Sequence, residues 1–161
     1  MVDKINVLTA VLADLRKMAA MAEIAGKDAQ HEANQQSSAM QSRYDTFREE
    51  GQYLAGAQKV RKLGLDAQIA DFEVFLAECQ ENPVVTDVVR VGSLATIMDD
   101  SSDEESCYLL VPAGGGKKYS DIIAVTYEAP IAQAMFGKRE GEGFVATIKG
   151  RERHFTVMQV S

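Results

Sequence analysis

The stretch VTYEAPIAQAMFGKREGEG, residues 125–143, decides the fold of the C-terminal half of this chain. It continues an apolar run into a short helix that starts at Pro130 and stops at Gly137. Proline suits the first helical position because its missing N–H has no helical partner there, and glycine suits the left-handed position that ends a helix. Ile131 and Met135 share one apolar face of this helix, which therefore requires a sheet to pack on.

The overall composition is that of a folded protein. The chain has 161 residues, of which 46% are hydrophobic and 25% are charged, and this length predicts one sizeable domain or two small ones. No window holds the roughly 18 uninterrupted apolar residues of a membrane span, and the N-terminus lacks the apolar core of a secretory leader. We therefore expect a cytoplasmic protein that does not bind membranes.

Charge and cysteine usage exclude several classes of function. The formal net charge is −7, whereas a free-standing nucleic-acid binder requires a basic excess to neutralise phosphates. An acidic protein that works near nucleic acid has to be held there by another protein. Cys79 and Cys107 show no CxxC spacing, and His31 and His154 are isolated, so we predict no metal site, no disulfide and no cofactor.

The N-terminal half has the apolar spacing of a coiled coil, alternating between three and four residues. A first helix is predicted over about Val2–Gln35, with Ile5, Leu8, Leu12, Leu15, Ala19 and Ala22 in its seam. After a polar reversal at residues 34–38, a second helix carries Tyr44, Phe47, Leu54, Val60, Leu65, Ile69, Phe72 and Leu76. Together they predict an antiparallel helical hairpin over residues 1–80, packed lightly near its turn, where alanine and glycine replace leucine.

The second half, residues 81–161, is predicted to be a small α+β domain with a mostly antiparallel sheet and one short helix. Asn82-Pro83 ends the second helix because the residue before a proline is pushed out of the helical region. Beyond it the apolar period becomes two, which predicts strands at Val84–Val91, Leu94–Met98, Ser106–Val111, Ile122–Thr126, Phe144–Ile148 and Phe155–Val160. The acidic run Asp99–Glu105 predicts a solvated turn, and the GGGKK segment, residues 114–118, predicts a flexible loop.

The order of these parts resembles the Gre family of bacterial transcription elongation factors, whose second domain is FKBP-like, resembling the fold of FK506-binding proteins. The match is closest over residues 123–143, where the family pattern is filled by Pro130, Ile131, Ala134, Gly137, Lys138 and Gly141. Ala129 stands where the family usually has serine. A second match covers Tyr44–Gly56, where Arg48-Glu49-Glu50 resembles the helix that follows the hairpin tip.

This resemblance implies a partner and a docking surface. Gre-like factors bind core RNA polymerase through the globular domain, at the mouth of the secondary channel, and insert the coiled coil into that channel. The docking residues implied around the proline-started helix are Thr126, Tyr127, Glu128 and Pro130. A basic patch that faces RNA in such factors is matched by Lys59, Arg61 and Lys62. Nucleic acid would then be contacted only within the polymerase complex, and we expect a monomer.

The hairpin tip separates this chain from the cleavage-stimulating members that it resembles. Those members use two tip carboxylates to help hold a second Mg²⁺, a hard cation that prefers oxygen ligands. The register set by Tyr44 and Arg48 puts these positions at Ser37 and Met40, in a segment QQSSAMQS that includes Ser38 and holds no carboxylate. We therefore expect a non-enzymatic, polymerase-binding factor that modulates or inhibits elongation or initiation without ordinary transcript cleavage.

Three alternatives stay open. An active cleavage factor would use Asp45 and Glu49, which lie four residues apart on the second helix and would share one face. A prolyl isomerase would use the FKBP-like domain, although residues 82–161 contain no tryptophan for an aromatic pocket. A scaffold would use the coiled coil to bind another partner or to self-associate.

Overall fold

The structure is a computed structural model that describes residues 4–35, 44–82 and 86–161, without the side chains of residues 44 and 45. By its contacts the chain forms two compact units, one made of Met1–Leu12 with Phe72–Ser161 and the other of Ala13–Asp71. A division between residues 80 and 81 stays a prediction. Within the described ranges, none of the helices has the length and apolarity required to cross a membrane.

Two long helices make up the N-terminal half: α1 spans Lys4–Gln35 and α2 spans Tyr44–Glu81. The predicted end of the first helix at Gln35 stays a prediction, because the residues that follow it lie outside the described ranges. Helix α2 ends directly before Asn82, where the following proline was predicted to stop it.

In the unit Ala13–Asp71, α1 and α2 run antiparallel. A Cβ built on Gly26 would lie 3.4 Å from the Cβ of Gln58, and one built on Gly51 would lie 2.8 Å from the Cβ of Ala33. As the residue number rises along α1, the residue number of the facing position on α2 falls. The buried side chains of this unit are Leu15, Ala19, Ala22, Ala33 and Leu65.

The seam of this unit becomes lighter away from Leu15 and Leu65, as the sequence predicted. A groove of about 430 Å³ lies between the helices and is lined in part by the small residues Ala22, Gly26 and Ala55. Small side chains leave fewer atoms in contact across the seam and so contribute less dispersion energy.

Three apolar residues of the predicted second-helix pattern do not lie in the seam. Phe47, Leu54 and Val60 are 56%, 55% and 71% exposed. The half-buried seam positions of α2 include Ala55 and Gln58 instead. The prediction failed because α2 carries apolar residues on more than one face, and spacing alone does not tell which face meets α1.

In the other unit, the first turns of α1 and the last turns of α2 contribute buried apolar side chains. Leu8, Val11 and Phe72 have no exposed surface. The ammonium group of Lys4 donates hydrogen bonds of 3.1 Å to the carbonyl oxygens of Gly92 and Ser161. Burial lowers the pKa of Lys4 from its usual value. The start of α1 is thus tied to the loop before the sheet and to the last residue of the chain.

The sheet of this unit has six strands and one short helix, α3, Pro130–Met135. The strands are β1 Leu94–Asp99, β2 Glu104–Leu110, β3 Lys117–Tyr119, β4 Ile122–Val125, β5 Gly143–Ile148 and β6 Arg151–Val160. Their spatial order is β3-β4-β2-β1-β6-β5. All pairs are antiparallel except β2 with β4. The predicted α+β class and the mostly antiparallel sheet with one helix are confirmed.

The predicted strand at Val84–Val91 is not present in its described part, residues 86–91. Val88 forms only an isolated bridge with Arg139. The amide of Val89 donates to the carbonyl oxygen of Lys138 at 2.9 Å, and the amide of Gly137 donates to that of Val89 at 2.8 Å. The apolar character of Val89, which is fully buried, reflects core packing rather than a strand.

The predicted flexible loop at residues 114–118 is also wrong in part, because Lys117 and Lys118 lie in β3. This strand pairs with β4 alone and forms one edge of the sheet. An edge strand can carry polar side chains, so β3 lacks the alternation of apolar residues that predicts a strand. Gly115 lies against the end of β4, where a Cβ would come within 2.6 Å of the backbone nitrogen of Thr126. Only glycine permits this approach of the two backbone segments.

We predict different outcomes for two glycine substitutions in α2. A Cβ at position 64 meets nothing within 4 Å, so Gly64→Ala should stabilise the helix by about 1 kcal/mol through its higher helix propensity. Gly51→Ala brings a methyl group to 2.8 Å from the Cβ of Ala33 and should give no gain or a loss. Hydrogen exchange of amides in residues 13–71 measures both effects. Equal stabilisation by the two substitutions would contradict the close approach at Ala33.

Candidate functional site

The link between β4 and α3 holds the four predicted docking residues. Thr126 is half-buried, whereas Tyr127, Glu128 and Pro130 are exposed. The amide of Ala129 donates to the carbonyl oxygen of Thr126 at 3.0 Å and closes a turn. This turn places the two side chains between its ends at the protein surface.

Helix α3 is positioned by its buried face rather than by a cap. Ala129 occupies the N-cap in an extended conformation and makes no side-chain hydrogen bond, and Pro130 follows at the helix start. A serine there would supply an acceptor worth about 1 kcal/mol. Ala132 and Met135 are fully buried, and Gly137, with φ of 76°, ends the helix.

Tyr127 and Phe136 form an exposed aromatic pair across the two ends of α3. Their ring centroids lie 5.0 Å apart at an interplanar angle of 79°, a favourable edge-to-face arrangement. The side chains remain 52% and 42% exposed. We call Tyr127 and Phe136 the aromatic pair. Exposed aromatic side chains are typical of protein interfaces.

Phe136 was not among the predicted site residues. The available signal was its position directly before Gly137, where the chain leaves the helix. An apolar residue next to a helix-ending glycine lies beyond the buried stripe and can be exposed. Its pairing with Tyr127 depends on the turn at Ala129, which the sequence pattern alone does not specify.

The tip residues of the hairpin are only partly described. Ser37, Ser38 and Met40 lie outside the described residues. Asp45 belongs to the first turn of α2, and Glu49, one helical turn later, is exposed. Among the residues that the structure describes, no group of three or more His, Cys, Asp or Glu side chains could hold a metal ion.

The three basic residues predicted to face RNA have different surroundings. Lys59 and Arg61 are exposed. The ammonium group of Lys62 lies 2.6 Å from the Asp66 carboxylate, and this hydrogen bond raises the pKa of Lys62. Lys59 and Lys62 both line the groove between the helices, as does Glu23 of α1.

An ion pair between a buried carboxylate and a half-exposed guanidinium lies where the sequence predicted a wholly solvated acidic turn. Residues 100–103 form an exposed turn, but Asp99 is 4% exposed and pairs with Arg153. The Ser101 hydroxyl donates to the Asp99 carboxylate, and this bond together with Arg153 lowers the pKa of Asp99. Burial raises the pKa of the neighbouring Tyr108.

The cavity beside this ion pair does not favour a prolyl isomerase. Its volume is about 80 Å³, and its lining includes Asp99, Tyr108, Arg153 and Phe155. Ligand pockets of enzymes usually hold about 300–1,000 Å³. The ion pair and its hydrogen bonds instead connect the end of β1 with β6.

A family model matches the C-terminal part of this fold. Residues 84–161 match the model described as "Transcription elongation factor, GreA/GreB, C-term". The predicted resemblance to the Gre-type transcription elongation factors is thus confirmed over residues 84–161, and the low identity to relatives makes this part of the chain divergent.

Several relatives carry the name transcription elongation factor GreA. The protein of Cereibacter sphaeroides is 28% identical over 116 residues, which cover 70% of this chain and 73% of the relative. The Aliarcobacter butzleri protein is 25% identical over 117 residues, covering 71% and 70%. For the Streptococcus pneumoniae protein the identity is 29% over 109 residues, covering 66% and 64%.

Two solved structures are similar at lower identity. The crystal structure of GreA factor homolog 1 (Gfh1) of Thermus thermophilus is 20% identical with a TM-score of 0.41, covering 98% of this chain and 94% of that one. The GreA/GreB factor from Nitrosomonas europaea is 22% identical with a TM-score of 0.40, covering 58% and 78%.

We predict that Asp99 contributes stability that is lost in acid. Its pKa is lower in the folded chain than in the unfolded chain, where it is about 3.9. The contribution is therefore fully present above about pH 4 to 5 and disappears as the pH falls through the folded value. Asp99→Asn should lower the thermal midpoint at pH 7 and flatten its decline toward pH 3.

The control for this prediction is Asp103→Asn, because Asp103 is an exposed acid of the same turn. It should leave the pH profile close to that of the unchanged chain. If Asp99→Asn and Asp103→Asn give the same profile, the ion pair with Arg153 is not the source of the acid dependence.

Proposed function

We propose that this chain binds bacterial RNA polymerase, inserts its helical hairpin into the secondary channel, and modulates or inhibits elongation or initiation without ordinary transcript cleavage. The relatives named as GreA transcription elongation factors support polymerase as the partner. The observation that carries the non-cleaving part is the segment Gln35–Ser42, QQSSAMQS, which holds no carboxylate. With polymerase as its partner, the chain would act in the cytoplasm.

The lack of acid in this segment bears directly on the chemistry. Polymerase-bound Mg²⁺ takes oxygen ligands and gains most from ionised ones. The hydroxyl of Ser37 is neutral and the thioether of Met40 is a poor ligand for a hard cation. A hairpin that reaches the active centre with these side chains occupies space there but adds no negative charge to hold a metal.

Docking is proposed to use the aromatic pair together with Glu128 and Pro130. Tyr127 and Phe136 are rigid, partly exposed side chains held at the ends of a helix whose other face is buried. Such a patch buries apolar area on binding while losing little conformational entropy. The partner surface is therefore expected to offer an apolar contact at its centre.

The docking proposal predicts that removing the aromatic pair weakens polymerase binding. Tyr127→Ala with Phe136→Ala should raise the dissociation constant for core polymerase by about tenfold or more, since aromatic anchors often contribute above about 1 kcal/mol. Val145→Ala is the matched control, because Val145 is a 46% exposed apolar residue elsewhere on the sheet. Equal affinities for all three proteins, measured by fluorescence anisotropy, would exclude this docking surface.

The cleavage proposal predicts no acceleration of RNA hydrolysis in backtracked complexes by the unchanged chain. Ser37→Asp with Met40→Glu should create Mg²⁺-dependent cleavage, because it restores two carboxylates at the family register. Ser38→Asp with Gln41→Glu adds the same charges one residue away and should not. Gel analysis of 3′-end-labelled transcripts measures all three proteins.

Cleavage by the unchanged chain would contradict the proposal. Asp45→Asn with Glu49→Gln would then test whether the two acids of α2 supply the metal ligands. Loss of activity in that variant would establish the alternative of an active cleavage factor.

A further inference from the structure

The two edge strands of the sheet differ in how they are protected against further pairing. Edge strands are usually blunted by short length, charged side chains, proline or a bulge. The strand β3 spans 3 residues, KKY, and is therefore both short and charged. The strand β5 spans 6 residues, GFVATI, which include no charge and no proline. Its register with β6 is uninterrupted, so no bulge turns this edge away from a neighbour.

The backbone of β5 alternates between groups that bond to β6 and groups that point outward. The following turn has two residues, Lys149 and Gly150, both with positive φ, and this turn type leaves the residues on either side of it hydrogen-bonded to each other. Before β5, the amide of Val157 donates to the carbonyl oxygen of Glu142 at 3.0 Å. Because bonded pairs alternate along an antiparallel ladder, residues 144, 146 and 148 bond to β6, and residues 143, 145 and 147 face outward.

The outward backbone groups of β5 have no partner among the described residues. Gly143, Val145 and Thr147 are exposed, and none of the hydrogen bonds in the described part of the chain uses their outward N–H or C=O groups. Successive outward residues lie about 6.8 Å apart along an extended strand. The edge of β5 thus presents donors and acceptors in a regular row.

We propose that β5 binds an extended segment of another protein, which adds a seventh strand to the six-stranded sheet. The row of backbone groups selects this occupant, because an extended backbone offers donors and acceptors with the same two-residue repeat. A helix does not, since its backbone groups bond within the helix. The added strand is antiparallel to β5, which is the slightly more stable arrangement per residue.

The charges beside β5 favour an acidic segment. Lys149 and Arg151 are exposed where β5 ends, and within the described ranges neither forms an ion pair. The N-terminal end of an antiparallel segment lies beside these two cations, so carboxylates are favourable there. An apolar or β-branched residue is favourable opposite Val145, which is 46% exposed.

Hydrogen exchange of single amides tests the proposal on the full chain. In the free chain, the amides of Gly143, Val145 and Thr147 should exchange fast and those of Phe144 and Ala146 slowly, since only the latter are bonded. The probe is a short synthetic peptide of alternating valine and threonine with two glutamates at its N-terminus. It should slow exchange at the three outward amides by about tenfold or more. The same peptide with every amide N-methylated keeps its side chains but lacks donors, so it should have no effect.

Val145→Pro tests the backbone contact from the side of the chain. Proline removes the outward N–H of residue 145 and leaves the bonds between β5 and β6 in place, because Val145 and His154 face each other without bonding. The dissociation constant for the peptide should rise by about tenfold or more. Val145→Ala keeps the backbone and should bind as the unchanged chain does. Thermal unfolding verifies that both variants are folded.

Arg151→Glu tests the charge preference. It should weaken binding of the glutamate-ended peptide by about threefold, as expected for an exposed charge contact. A peptide ending in glutamine instead should bind the variant and the unchanged chain equally. Equal weakening of both peptides would contradict the charge contact.

Three outcomes would overturn the proposed strand addition. They are outward amides whose exchange the peptide leaves unchanged, equal binding of the N-methylated peptide, and peptide binding that Val145→Pro leaves intact. A dimer of this chain that Val145→Pro abolishes would also overturn it, because the edge would then belong to a second copy. This inference does not rest on the proposed function, which the variant with Tyr127→Ala and Phe136→Ala tests separately.

Discussion

The packing of α3 on the sheet is the interaction on which the proposed docking surface depends. Ala132 and Met135 have no exposed surface, and Ile131 is nearly buried. Each buried Å² of apolar surface contributes about 25 cal/mol, so rotation of this helix would expose its stripe at a substantial cost. Because Ala129 provides no capping side chain, buried contacts rather than a cap hold the start of the helix. This packing determines where Tyr127 and Phe136 emerge at the surface.

The helices and most strands were predictable because their signals are local. Apolar spacing predicted the two long helices, and the proline after Asn82 predicted where the second one ends. The strand β3 was missed because an edge strand with polar side chains has no apolar alternation. A strand was predicted over Val84–Val91 from an apolar period of two, but the backbone hydrogen bonds of Val89 go to residues 137 and 138. Burial and backbone pairing are separate properties, and the sequence pattern reports mainly the first.

The candidate site was predictable only in part for a related reason. The residues from Thr126 to Pro130 follow from the match to the family pattern. Phe136 does not, since its contact with Tyr127 arises from two turns in three dimensions. The apolar residues of α2 illustrate the same limit: Leu65 faces α1, whereas Val60 faces solvent. A helix with two apolar faces requires knowledge of its neighbour before either face can be assigned.

The close approach at Gly115 has a consequence for genetic screens. Any side chain at this position would collide with the backbone at Thr126 and Val125, directly before the turn that carries Tyr127. A substitution there would displace the turn from Thr126 to Ala129, which carries the proposed docking residues, without removing one of its side chains. Loss-of-function alleles at Gly115 would therefore report the placement of that turn, and they should not be counted among the residues that touch a partner.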